Sequence, residues 1–274
     1  MSGFADLWPR LVAVFEVSLV IDAVRYAVPA FGLALILKLF WNWGLRDRKI
    51  QAREANNADR WREIWTSART VVIFAANSVL TYLGIEAGIM VLLGPAGLHD
   101  IPYVVATTIG LILFHDTYFY WTHRAMHHPR LFRWFHRTHH RSVTPTPFAA
   151  YAFDWPEAVV QSMIVPLWLL MVPMHPIGLF TFLGFMIIRN VMGHAGVELM
   201  PRRLADSRWF GWINATTHHD LHHSSFRHNY GLYFTWWDRM MGTEHPAYRE
   251  QLRGGPAEET AAETGAARPA IVAG

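Results

Sequence analysis

The sequence predicts an all-α integral membrane protein, with about four to five membrane-inserted helices under a cytosolic, histidine-rich helical cap. Of its 274 residues, 52% are hydrophobic, 14% aromatic and only 16% charged, against roughly 25% charged in soluble domains. The apolar residues fall in runs near the ~20 residues that cross a bilayer core. The sixteen histidines are bunched, as HRAMH at His123–His127, HRTHH at His136–His140 and HHDLHH at His218–His223, with His194 alone between the last two. A mean hydropathy of +0.14 is low for a chain made of spans alone, so part of it is expected outside the bilayer.

Residues 1–25 hold apolar runs broken by Glu16, Asp22 and Arg25. They predict an amphipathic or partly inserted helix, without the basic start and small-residue cleavage site of a signal peptide. Residues 26–43 are the first predicted span, with Lys38 snorkelling and Trp41 and Trp43 at the interface. Residues 46–69 carry Arg46, Arg48, Lys49, Arg53, Arg60, Arg62 and Arg69. This basic loop is placed on the cytoplasmic side by the positive-inside rule. Residues 70–93 and 101–121 are the next spans, joined by GPAGLHDIP, which has no Lys or Arg. A hairpin over 158–193 follows, with apolar runs at 158–172 and 177–193 reversing at Pro173 and Pro176. Alternating sides, these spans leave the cap segments 122–157 and 194–253 on the cytoplasmic face. Residues 1–253 therefore read as a single domain, and 254–274, rich in Gly, Pro and small residues, as a disordered tail. The chain end carries no endoplasmic-reticulum retrieval signal, which points to a bacterial inner membrane.

With no cysteine in the chain, disulfides, thiolate metal sites and the usual iron–sulfur ligation are excluded. The net charge of +3 and pI near 9.3 fit a topology signal, and no nucleic-acid motif accompanies them. Residues three and four apart share a helical face. His123 and His127 are therefore predicted to point one way, as are His136, His139 and His140, and likewise His219, His222 and His223. A structural zinc needs about four ligands. Three imidazole faces offer more, which predicts a two-metal centre. Asp116 and Tyr120, seven and three residues before His123, are predicted to bond the far nitrogen of a ligating imidazole. Asp220 and Asp238 are candidates for the same task, and His115 is a weaker ligand candidate, rotated away from His123. Trp134, Phe135, Phe148, Tyr151, Phe153 and Trp155 suit an apolar substrate. Iron held by nitrogen donors at a membrane face supplies dioxygen chemistry able to break an unactivated C–H bond. Two other classes compete. A zinc-dependent membrane hydrolase needs a Glu base beside its ligands, but no H-E-x-x-H motif is present. A bis-histidine haem carrier needs isolated histidines on facing spans rather than clusters.

From about Leu113 to His245 the chain reads H-x-x-x-H, H-x-x-H-H, a lone His in NVMGHAG, H-x-x-H-H, then N-Y-G and W-D-R-x-x-G-T. This ordered set resembles the fatty acid hydroxylase/sterol desaturase superfamily of membrane di-iron oxygenases. The resemblance implies a mushroom-like architecture. It implies that His123, His127, His136, His139, His140, His194, His219, His222 and His223 ligate two iron ions, for which zinc can substitute in purified protein. His128 and His218 become adjacent supporting residues, and His228 a further candidate of lower rank. W-D-R-x-x-G-T is read as structural, closing the cap. The implied reaction hydroxylates or desaturates a bilayer lipid with dioxygen. The lipid is a sterol or hopanoid, or a fatty acyl or polar-lipid chain, with a carotenoid hydroxylase or ketolase as the alternative. No cytochrome-type domain is recognisable, so electrons are expected from an external ferredoxin- or cytochrome-type donor. The chain departs from its relatives at AYAFDWPEA, where they read A-Y-x-F-H-P-x-E. Asp154 and Trp155 thus stand in place of His-Pro.

Overall fold

A computed structural model describes residues 2–205 and 207–253; the tail predicted over 254–274 lies outside them. The first element, α1 (Ser2–Phe40), is one uninterrupted helix. The amphipathic segment expected over 1–25 and the span expected over 26–43 are therefore a single element. At 1.5 Å per residue it is about 58 Å long. Val17, Val24, Val28, Phe31 and Leu35 stand exposed along it, a surface suited to lipid rather than water.

The predicted basic loop ends early, because α2 (Asn57–Glu86) starts thirteen residues before the expected span. Asn56 and Asp59 form a reciprocal capping box at its start, which satisfies backbone N–H groups that a helix end leaves open. Glu63, Ser67, Thr70, Val71 and Phe74 recur at spacings of three and four and are buried. Arg60, Arg62 and Arg69 consequently sit on the first turns of a helix. Glu86, at the far end, pairs with Arg10 of α1 at 2.9 Å.

After a 3-10 turn at Leu98–Asp100, α3 (Ile101–Met126) runs into the first histidine cluster without a break. Of the described helices, α2, the stretch Leu98–Met126 and α7 (Pro176–Gly193) are long and apolar enough to cross a membrane. α1 packs on α2 and α7, and α3 on α7.

The apolar run expected as a span over 158–172 is two short helices, α5 (Trp155–Ser162) and α6 (Ile164–Leu169). Pro166 has no N–H to return to the Ser162 carbonyl. That carbonyl is instead taken by the Asn77 side-chain amide at 2.9 Å.

Above the bundle, α4 (Pro129–Phe135), α8 (Arg202–Ala205), α9 (Thr216–Ser225), α10 (Trp236–Met240) and α11 (Tyr248–Leu252) form a cap of short helices and irregular backbone. Among the described residues there is no strand beyond isolated bridges, such as Lys49 with Val197. Buried carboxylates stitch the cap instead. Asp116 on α3 accepts from the Tyr233 N–H at 2.9 Å, the Phe234 N–H at 3.3 Å and the Trp236 indole at 2.7 Å. Asp238 on α10 accepts from the N–H groups of Tyr230 and Gly231, both at 2.8 Å. A Cβ at Gly231 would lie 2.6 Å from the Phe234 carbonyl and 2.9 Å from the Asp238 carboxylate, so this close approach requires the glycine of N-Y-G.

Candidate metal centre

The three histidine clusters and His194 converge at the top of the bundle. Their nitrogens form two groups, each with all members within 4.8 Å of one another. One comprises His123, His127, His136, His140 and His222; the other comprises His139, His194, His219 and His223. All nine predicted ligands are gathered there, and all are buried. The groups adjoin, since the rings of His140 and His223 are 4.9 Å apart between centroids.

The presenting elements differ from those expected. His123 lies on the last turn of α3 and His127 caps it. His136 ends α4, and His139 and His140 begin a 3-10 turn. The turn between them is held by Asp154, whose carboxylate accepts the Thr138 N–H at 2.7 Å and also the Thr138 hydroxyl. The residue that departs from the family pattern thus sets the second cluster. His219, His222 and His223 occupy α9.

The second and third clusters do not each point one way. His139 parts from His136 and His140, and His222 parts from His219 and His223. Successive helical residues diverge by about 100°, so a face three or four residues wide is an arc broad enough to address two centres. Phe226, just past α9, has φ 65°, a left-handed conformation that costs a side-chain-bearing residue about 1–2 kcal/mol. Its ring packs on His140 at 4.6 Å.

The donors fit metal ions. The Nδ1–H groups of His123, His194 and His222 donate to the carbonyls of Tyr230 at 2.8 Å, Asn190 at 2.7 Å and His228 at 2.6 Å. A neutral imidazole carries one N–H, so in these three Nε2 presents a lone pair inward. Nε2 atoms approach one another at 2.9 Å between His123 and His136, 3.0 Å between His140 and His222, and 3.1 Å between His194 and His219. Metal–nitrogen bonds of about 2.0–2.1 Å place neighbouring donors roughly 2.9–3.4 Å apart. Burial, reinforced by neighbouring imidazoles, holds His127, His136, His139, His140, His219, His222 and His223 well below the ordinary histidine range. Burial holds His194 at about 4. These side chains are neutral donors at physiological pH, as metal binding requires.

The remaining sequence candidates lie around these groups and outside them. His115 contacts the Tyr233 hydroxyl through Nδ1 at 2.8 Å. Asp116 and Tyr120 do not make the expected bonds to imidazole. Asp116 is consumed by the 233–236 backbone and indole, and Tyr120 meets the Thr243 hydroxyl at 3.0 Å. Both share the His123 side of α3, but the cap lies closer to them than any imidazole nitrogen. Asp220 accepts from Gln51 at 2.8 Å rather than holding a histidine, because its neighbours on α9 turn inward while it turns to the 46–56 segment. Asp238 does face an imidazole, with His218 Nε2 3.4 Å from its Oδ2. His128 is exposed and caps α4 by accepting the Arg130 N–H at 3.3 Å. His228 contributes its carbonyl to His222, and its ring packs on His245 at 4.8 Å. Glu157, buried and 2.7 Å from His136 Nδ1, is a support that sequence reasoning missed, although it lies within the quoted AYAFDWPEA stretch.

A cavity of about 290 Å³ opens below the centre, lined by residues that include His115, Phe119, Tyr151, Phe153 and Asn190. Phe153 lies 5.5 Å from the His139 ring and Phe119 4.9 Å from the His123 ring. Two aromatic residues expected to meet substrate turn outward: Trp134 is 61% exposed and Trp155 64%.

A family model described as Fatty acid hydroxylase matches residues 108–243. The chain is 34% identical over 149 residues to a lathosterol oxidase of Rattus norvegicus, covering 53% of this chain and 47% of that protein. It is 30% identical over 187 residues to a lathosterol oxidase of Homo sapiens, covering 65% and 56%. A Delta(7)-sterol 5(6)-desaturase of Gibberella zeae is 34% identical over 142 residues, covering 52% and 42%. The chain thus spans about half the length of the curated relatives it matches. No solved structure matches it.

Proposed function

We propose that this chain, whose residues 108–243 match the fatty acid hydroxylase family model, is a membrane di-iron oxygenase that desaturates or hydroxylates a lipid, with sterols the leading substrate class. The observation that carries the reading is the pair of adjoining, buried groups of five and four histidines above an apolar cavity. The nine histidines of those groups would hold the two ions. When bound there, iron supplies dioxygen reduction and the oxidation of an unactivated C–H bond.

The chain's own residues do the rest. The carbonyls of Tyr230, Asn190 and His228 fix the tautomers of His123, His194 and His222. Glu157 backs His136 and orients its ring. Phe119 and Phe153 form an apolar partition between cavity and centre that excludes water and leaves hydrocarbon as the fitting neighbour. A bilayer lipid enters between the spans, and an external ferredoxin- or cytochrome-type donor supplies electrons from the cytoplasmic side of a bacterial inner membrane.

The test is metal analysis of detergent-purified protein loaded anaerobically with ferrous iron. It is followed by incubation with sterols, dioxygen and a reductant, and by mass spectrometry of the lipid. Two irons per chain and a sterol that loses two hydrogens or gains one oxygen support the proposal. One metal or none in folded protein overturns it. Imidazole groups also accept zinc, which is why loading precedes the count.

A further inference from the structure

The cavity is apolar along most of its wall, but polar side chains also line it. Asp22 and Arg25 of α1 pair there at 2.5 Å, one turn apart. The pairing uses Nη2 of Arg25; Nε and Nη1 are buried without a hydrogen-bond partner among the described residues. Gln161 of α5 is 6% exposed, and neither its amide nitrogen nor its oxygen has a partner among the described residues. The Tyr151 hydroxyl, on a residue 1% exposed, also has no partner among the described residues. All four residues line the cavity.

Unpartnered polar atoms in a dry interior are costly, and native proteins hold few of them. Three side chains with such atoms, Arg25, Tyr151 and Gln161, line one chamber and point to a ligand that completes them. Arg25 and Tyr151 donate, while Gln161 donates and accepts. A hydroxyl, which does both, satisfies this arrangement. The Tyr151 ring lies 6.0 Å from that of Phe153, which lies 5.5 Å from that of His139. Tyr151 is therefore two ring contacts from the four-histidine group, with the Phe153 ring between.

Resting on the oxygenase reading above, we propose that Arg25, Tyr151 and Gln161 bind the hydroxyl of a lipid substrate and so fix which carbon reaches the metal centre. Arg25 lies outside the stretch matched by the family model, so selectivity is set partly by α1.

The experiment uses the full chain, iron-loaded, in nanodiscs containing a fluorescent sterol. Two pairs of lipids compete with that probe: cholestanol against cholestane, and hexadecanol against hexadecane. Expected is a preference of about tenfold for the alcohol, the scale of one well-made hydrogen bond. The pair that shows it identifies a ring or a chain as the hydroxyl's carrier. In Tyr151→Phe/Gln161→Leu the preference falls to about twofold or less, with iron content unchanged. If that variant does not fold, Tyr151→Phe alone, which removes one oxygen, is read in its place. Equal competition within both pairs, as for a merely water-filled cavity, overturns the proposal, and so does a preference that survives substitution. Protein that holds two irons without preferring alcohols loses only this inference. Protein that prefers alcohols but holds no iron loses the oxygenase reading instead.

Discussion

Asp238→Asn tests the claim that buried carboxylates, more than regular structure, hold the cap. Asp238 is fully buried. Its Oδ1 accepts the Tyr230 N–H at 2.8 Å and the Thr243 hydroxyl at 2.7 Å, and its Oδ2 accepts the Gly231 N–H at 2.8 Å. Burial opposes its ionisation, yet His218, Thr243 and the Gly231 N–H hold the carboxyl below the usual range. An asparagine amide in either orientation sets an NH2 group against a backbone N–H. One charge-assisted bond is lost, at about 1.5–3 kcal/mol, and a buried donor is stranded, at about 1–3 kcal/mol. Taking about 3 kcal/mol and roughly 2–4 °C per kcal/mol for a chain of this size, the unfolding midpoint should fall by about 6–12 °C. The assay is thermal unfolding of iron-free protein in detergent, followed by tryptophan fluorescence. A carboxylate with a lowered pKa stabilises above its unfolded value near 3.9, and that stability is lost as pH falls through the folded value. The gap between wild type and variant should therefore persist down to about pH 4 and close below it. A midpoint within about 2 °C of wild type at neutral pH would refute the reasoning.

Other expectations follow from the same contacts. Glu157→Gln keeps the shape beside His136 but exchanges a carboxyl oxygen for an amide NH2 that cannot accept from its Nδ1–H; iron affinity at the five-histidine group should drop by about 10–100-fold, read by metal titration, and unchanged affinity at both groups counts against it. His223→Ala leaves three donors in the smaller group, so elemental analysis should find about one iron per chain, whereas a count that stays at two would contradict the ligand assignment. The iron-free protein should lose stability as pH falls from about 6.5 towards 4: burial lowers the folded pKa of the cap imidazoles, so the unfolded chain takes up protons first. A flat unfolding midpoint between pH 7 and 4.5 would show that these side chains protonate without penalty. Asp154→Ala frees the Thr138 turn and should weaken iron binding at both groups, because His136 and His139 flank it; loss at neither would remove Asp154 from that task.

The histidine motifs were readable because side chains that meet at one point recur at helical spacing, and all nine expected positions converge. Their division was not readable. Spacing fixes a face only to within a wide arc, and the difference between His222 and His223 depends on where α3 and the 139–141 turn dock. The holders of His123, His194 and His222 are main-chain carbonyls, which leave no mark in a sequence. Asp116 appeared suited to an imidazole because helical phase gives direction but not reach. The same limit hides the split of 158–172: hydropathy sees an apolar run, while Pro166 and the Asn77 amide decide that it breaks. The extent of α2 followed from its Asn56 cap, which a charge count over 46–69 overlooks.

His222 and His223 are consecutive residues of α9, yet they serve different groups. A roll of this helix about its own axis carries one imidazole towards its companions while drawing the other away. The two halves of the centre are thus geared in opposite senses, and neither can be retuned alone. A spectroscopic probe confined to one half would register a disturbance that began at the other.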